Sequence, residues 1–264
     1  MRGRARFPFF AARSSLALRE TGRVSMVMQF KHIRARAEKR KGAKVLASLI
    51  PEAKSSKSLA KVGDDRFLSE MTRRVFSAGF VWRVIDQKWP GFEEAFLGFA
   101  PKALLFQPDE FWESLARDTR IVRNPQKIKS VRDNAAFVAD IAKEKKSFGK
   151  MLADWPQDDE AGLLEFLGKR GSRLGGMTGQ YFLRFVGWDA FILSRDVVAA
   201  LREAGVELSE KVTTKKDLRN AQAAFAAWRK ETGLSFTQLS RICAMSTGEN
   251  MDAATLAARG MSDE

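Results

Sequence analysis

The chain has 264 residues, 45% of them hydrophobic, and its 46 Lys and Arg against 32 Asp and Glu give a formal net charge of +14. That length can bury a core without disulfide or metal staples, and the charge favours a polyanionic partner, nucleic acid before an anionic membrane surface. Cys243 is the only cysteine and His32 the only histidine, so an internal disulfide is excluded, a tetrahedral zinc site lacks ligands, and Ser-His-Asp or Cys-His chemistry would rest on one residue in the charged run KHIRARAEKRK.

One cysteine suits a reducing, cytoplasmic compartment. No apolar stretch approaches the roughly 20 residues that cross a bilayer. Residues 1–25 carry six arginines and one acid, Glu20. They read either as a transit-type leader or as a segment upstream of a natural start at Met26 or Met28, and they are set aside from the fold. Residues 26–250 are expected to form one helical domain, with a frayed tail over 251–264.

Along that domain the elements read as helices. Asp64 and Asp65 open one that carries Phe67, Met71 and Val75. Gly79 interrupts it, and Val81, Val84 and Ile85 continue its apolar side until Pro90 ends it. Pro108 suits the first turn of a helix through Phe111, Trp112 and Leu115. Asn124-Pro125 reads as an N-cap followed by proline at the first helical position, with Ile128, Val131, Ala135 and Val138 on one face. Further helices are predicted near 147–155 and 159–169, then over 178–186 and after Ser194. A helix over about 215–230 is amphipathic through Leu218, Ala221, Phe225 and Trp228. Ser235 and Gln238 form a capping box for a last short helix. The fold class is therefore all-α.

The most informative segment is RGSRLGGMTG, four glycines in ten residues between two helices. A hairpin through Gly175, Gly176, Met177, Thr178 and Gly179 can aim backbone N–H groups and a positive helix end at a phosphate oxygen. Glycine lets a DNA backbone approach without a Cβ in the way. Lys169, Arg170 and Arg173 just upstream can add contacts to phosphates. Arg123, Lys127 and Lys129 are further candidates to face a duplex, although a charged helix face is equally a solvated one.

The stretch LGKRGSRLGGMTGQYF, the segment from Arg120 to Ala135, Ala78-Gly-Phe-Val-Trp82 and the spacing over Phe92–Pro101 together resemble the 3-methyladenine DNA glycosylase I family, in order and gaps, over about residues 60–205. The resemblance implies a helix-hairpin-helix glycosylase fold and a monofunctional enzyme of base-excision repair. Such an enzyme flips an alkylated purine out of double-stranded DNA and hydrolyses its N-glycosidic bond, with no cofactor. A monomer bound to DNA and not to membranes is expected.

Trp82 holds the family's aromatic position and is the candidate stacking residue; its alternative is a core tryptophan among Phe76, Phe80 and Val84. Tyr181 can reach a base or a phosphate, or be an ordinary half-buried tyrosine. The family's base-contacting glutamate, eight residues before the tryptophan, is Arg74 here, a cation that would repel a positively charged alkylated adenine. The family's Cys/His zinc site cannot be built, so no metal is expected and the chain reads as a divergent, zinc-free branch. No catalytic acid can be assigned. Asp196 and Ser194, near where relatives carry an aspartate, are weak candidates, and Asp196 is equally an early-helix acid facing the dipole. The alternative function is a non-catalytic DNA-binding module that keeps the hairpin and has lost base excision.

Overall fold

A computed structural model describes residues 27–250, so the expected tails lie outside the described residues. Within them the chain is helical, without strand. In order come α1 (Phe30–Lys41), α2 (Ala43–Ser48), α3 (Ser56–Leu59), α4 (Asp64–Ser77), α5 (Trp82–Ala95), α6 (Pro101–Leu105) and α7 (Asp109–Leu115). The remainder are α8 (Pro125–Lys145), α9 (Phe148–Asp154), α10 (Glu160–Arg170), α11 (Gly176–Val186), α12 (Arg195–Glu203), α13 (Lys215–Thr232) and α14 (Phe236–Ser246).

Local chemistry places many of these ends. Asn124 accepts the Lys127 N–H at 3.1 Å ahead of Pro125, and Asp159 accepts that of Gly162 at 3.0 Å. Ser235 and Gln238 close the expected capping box. These caps satisfy amides that the first helical turn leaves open.

Two elements depart from the sequence reading. Pro90 lies inside α5, which continues to Ala95. Burial of Phe92 and Ala95 and the stacking of Trp89 on Phe92 (5.0 Å) and Phe99 (5.5 Å) outweigh the one hydrogen bond that proline removes. Val81 and Val84, expected on an apolar side, are 67% and 40% exposed. The run KHIRARAEKRK lies in the helix α1, whose Phe30, Ile33 and Ala37 are buried while His32 faces solvent.

The helices enclose two apolar clusters. One gathers α4 to α11 around Phe67, Met71, Phe92, Val138 and Phe182; the other gathers α1 and α12 to α14 around Phe30, Phe225, Trp228 and Leu239. The crossing segment, residues 190–193, has no regular secondary structure, and side chains satisfy its amides in turn. Ala190 N–H donates to Thr237 Oγ1 (3.1 Å), Phe191 to Glu160 Oε2 (2.8 Å), Ile192 to Ser240 Oγ (3.0 Å) and Leu193 to Gln180 Oε1 (2.6 Å). Buried backbone donors are thereby paired without a sheet.

Glu160 is fully buried and its second oxygen has no hydrogen-bond partner. Burial pushes this carboxyl well above the ordinary carboxylate range, against the pull of the Phe191 N–H and Arg184. A raised folded-state pKa gives stability that is present at low pH and lost as pH rises through that value. Glu160→Gln, which keeps an acceptor for Phe191, should therefore raise the melting temperature at pH 8, by about 1–3 kcal/mol in stability, and flatten its fall with pH. Melts of both proteins from pH 5 to pH 9 check this, and an equal fall with pH in the variant contradicts it.

Candidate nucleic-acid interface

The connection from α10 to α11 is a tight hairpin. Arg173 and Gly176 have left-handed backbone, with φ of 61° and 58°. Gly175 is the N-cap of α11 and supplies no capping side chain. A Cβ at Gly175 or Gly176 would meet nothing within 4 Å, so the surface at the start of α11 is unobstructed there. Gly179 serves differently. It is buried, and a Cβ there would stand 2.5 Å from the Leu174 carbonyl oxygen, so its role is close packing beneath the hairpin and not contact with a ligand. Met177 is 39% exposed and Thr178 half-buried.

Asn134 of α8 braces the hairpin from below. It is buried, receives the Ser172 N–H at 2.7 Å and donates to the Ser172 carbonyl at 3.0 Å. One amide side chain thus satisfies both backbone groups of the turn. Asn134 lies in the segment from Arg120 to Ala135 that carries part of the sequence resemblance, which assigned it no role.

The candidate cations divide. Lys169, Arg170, Arg173 and Arg123 are exposed. Lys169 pairs with Glu165 at 2.7 Å, and Arg173 donates to Gln126 at 2.5 Å. Lys127 is a correction: its side chain is buried and its Nζ donates to the carbonyls of Phe76 (3.1 Å) and Ala78 (2.7 Å), over the Phe80 ring at 4.6 Å. Burial lowers its pKa. It ties the end of α4 to α8 and does not face a duplex. Beside the hairpin, a cavity of about 450 Å³ is lined by Gly168, Lys169, Gly175 and Gly176 and by Lys215 and Arg219 of α13. The sequence reading missed these last two. Lys169 and Lys215 both bind Glu165, whose carboxyl they hold down to about 2.

Trp82 is half-buried and meets Tyr181 edge-on, with centroids 5.0 Å apart, and Phe185 at 5.8 Å. It is therefore not the core tryptophan of the alternative reading, since Phe80 and Val84 are 42% and 40% exposed. Burial raises the Tyr181 phenol, with Arg184, Arg241 and Arg74 opposing, so the hydroxyl keeps its proton at neutral pH. Arg74 is 5% exposed beneath this cluster, its guanidinium carbon 4.8 Å from the Trp82 centroid and 4.0 Å from that of Phe185. Its Nε lies 2.7 Å from Glu70 Oε1. Glu70, one helical turn before Arg74, was missed in the sequence.

The weak catalytic candidates lie elsewhere. Ser194 Oγ caps α12, accepting the Val197 N–H at 3.4 Å. Asp196 sits against Gly248, where a Cβ would meet its carboxylate at 2.2 Å. Neither is brought to the Trp82 cluster by these contacts. Asp189 receives the Thr237 N–H at 2.8 Å and that of Phe236 at 3.2 Å, so it caps α14. Among the described residues no three His, Cys, Asp or Glu side chains are grouped to hold an ion, and no helix is long and apolar enough to cross a membrane.

Residues 57–162 match the model of the methyladenine glycosylase family. This segment is similar to that family. It holds Arg74, Glu70, Trp82, Asn134 and the α4, α5 and α8 scaffold, and it ends before the hairpin, whose likeness to the family rests on the sequence motif alone. The fold is also similar to solved structures. The 3-methyladenine DNA glycosylase I of Staphylococcus aureus aligns at TM-score 0.43 and 22% identity, over 48% of this chain and 77% of that one. A Methanocaldococcus jannaschii 8-oxoguanine glycosylase/lyase, solved with DNA containing 8-oxoguanine, aligns at TM-score 0.48 and 18% identity, over 84% and 98%. No curated protein matches the sequence.

Proposed function

We propose that this chain is a monofunctional DNA glycosylase of base-excision repair. It binds duplex DNA as a monomer, extrudes one damaged purine and hydrolyses its N-glycosidic bond without a cofactor. The observation that carries the reading is the aromatic site that Trp82, of the family-matched segment, forms with Tyr181 and Phe185 of α11, the helix that also begins at the hairpin. Phosphates on the hairpin fix the register of the duplex, and the extruded base stacks on Trp82. Exposed Phe80 and Val81, beside Trp82 in the chain, supply apolar surface for the space that the base vacates. In the reaction water adds to C1′, the C1′–N bond breaks, and its electron pair leaves with the base. Alkylated purines, as in the family, depart readily because they carry positive charge.

Gly176 is a poor position for testing the hairpin, because its left-handed backbone makes any side chain strained. Gly175→Val adds bulk over the same amides in ordinary backbone and open space. This variant should keep the parent melting temperature and lose about tenfold in affinity for every duplex alike, the scale of one charge-assisted contact. Fluorescence anisotropy with damaged and undamaged duplexes measures it. Unchanged affinity would place the phosphate contacts away from the hairpin.

A further inference from the structure

Arg74 is an unusual group to find beneath an aromatic site. Its Nε and Nη1, and Glu70 Oε1, are buried without a hydrogen-bond partner, since the 2.7 Å contact between Nε and Oε1 lacks hydrogen-bond alignment. A guanidinium always carries charge, and its unpaired donors incur a desolvation cost in the empty site. The surrounding charge is mainly basic. Asp86 is paired with Arg73 at 2.6 Å, while Lys54 lies near Glu70, and Arg184 and Arg241 lie near Tyr181. Glu70 is the one acid in contact with Arg74.

Building on the glycosylase reading, we propose that Arg74 is the specificity-determining residue of this site and selects a neutral purine that presents carbonyl and ring-nitrogen acceptors, as a deaminated adenine does, in preference to a cationic alkylated one. The Hoogsteen edge of such a base offers O6 and N7 side by side, the pair of acceptors that a guanidinium fork matches. Arg74 lies against the Trp82 and Phe185 rings, so a base that enters beside Trp82, past the rim of the indole, presents its edge to the guanidinium. The same donors serve the chemistry. A neutral base leaves with an electron pair on its ring, and a cation hydrogen-bonded to N7 and O6 stabilises that developing charge. A base already positive gains nothing from this and is repelled. Deaminated bases also pair weakly in duplex DNA, which lowers the cost of extrusion.

The test titrates free hypoxanthine and free 3-methyladenine into the full chain, reading tryptophan fluorescence, with Trp82→Phe to assign the signal. Hypoxanthine should bind about tenfold or more tightly than 3-methyladenine, as for one charge-assisted hydrogen bond. Arg74→Gln should abolish or reverse the preference by freeing Glu70, and Arg74→Lys, which keeps the charge but not the fork, should retain part of it; thermal melts select the folded variants. Equal or tighter binding of 3-methyladenine, or a preference that survives Arg74→Gln, overturns the proposal and makes Glu70 the group that meets the base. Excision from duplexes carrying each base is read separately. Release of 3-methyladenine without a carbonyl preference leaves the glycosylase reading standing and removes this one. A clear hypoxanthine preference with no excision removes the glycosylase reading and leaves the base-recognition assignment.

Discussion

Trp82→Ala should lose most base excision, by about five- to a hundredfold, while its affinity for undamaged duplex stays near that of the parent. The magnitude is that of one base–aromatic stack, about 1–3 kcal/mol. On the proposed function the two separate, because the phosphate contacts would come from the hairpin and the indole would meet only the extruded base. Some stability is lost as well. The half-buried ring gives up its edge contacts with Tyr181 and Phe185 and its cover over Arg74. About 1–2 kcal/mol follows, or a few degrees of melting temperature. Trp82→Phe should keep part of the activity. A melt of each variant, read beside its excision rate and duplex affinity, tests the assignment. A large fall in melting temperature with parallel loss of both functions would make Trp82 a packing residue.

Asn134→Ala should damage the hairpin itself. It removes both hydrogen bonds to Ser172 and leaves that residue's part-buried N–H and carbonyl without partners. Each orphaned group costs about 1–3 kcal/mol, so the variant should lose roughly 2–4 kcal/mol and melt about 5–12 °C lower. Duplex affinity should fall with it, because the amides of α11 lose the brace that aims them. Asn134→Asp keeps the acceptor for the Ser172 N–H, loses the donor, and should fall between. Unchanged melting and binding in Asn134→Ala would show that the hairpin holds its shape without α8.

Much of this architecture was legible locally. Asn124, Asp159, Ser194 and Ser235 each mark a helix start because a short oxygen-bearing side chain reaches an amide two or three residues on, which needs no knowledge of the rest of the fold. The glycine-rich hairpin was visible for the same reason. What escaped depended on distant partners. Lys127 looked like one cation among many; its acceptors, Phe76 and Ala78, are about fifty residues away in sequence. Glu70 drew no attention until the fold placed it against Arg74 under Trp82. Pro90 read as a helix end because the aromatic stack that holds α5 together draws on Phe99 from beyond the helix. The α1 run read as charge alone because its apolar residues are few, and only packing against α14 shows that they suffice.

The proposed activity is hydrolytic removal of a base from DNA. Its most direct test incubates the full chain with duplexes that carry either an alkylated purine or a single hypoxanthine. Free base and alkali-labile sites are then counted on each duplex. One free base per abasic site is predicted, with strands intact until alkali is added. Tight, salt-sensitive binding with no base released from any duplex would contradict it and leave a DNA-binding module without catalysis.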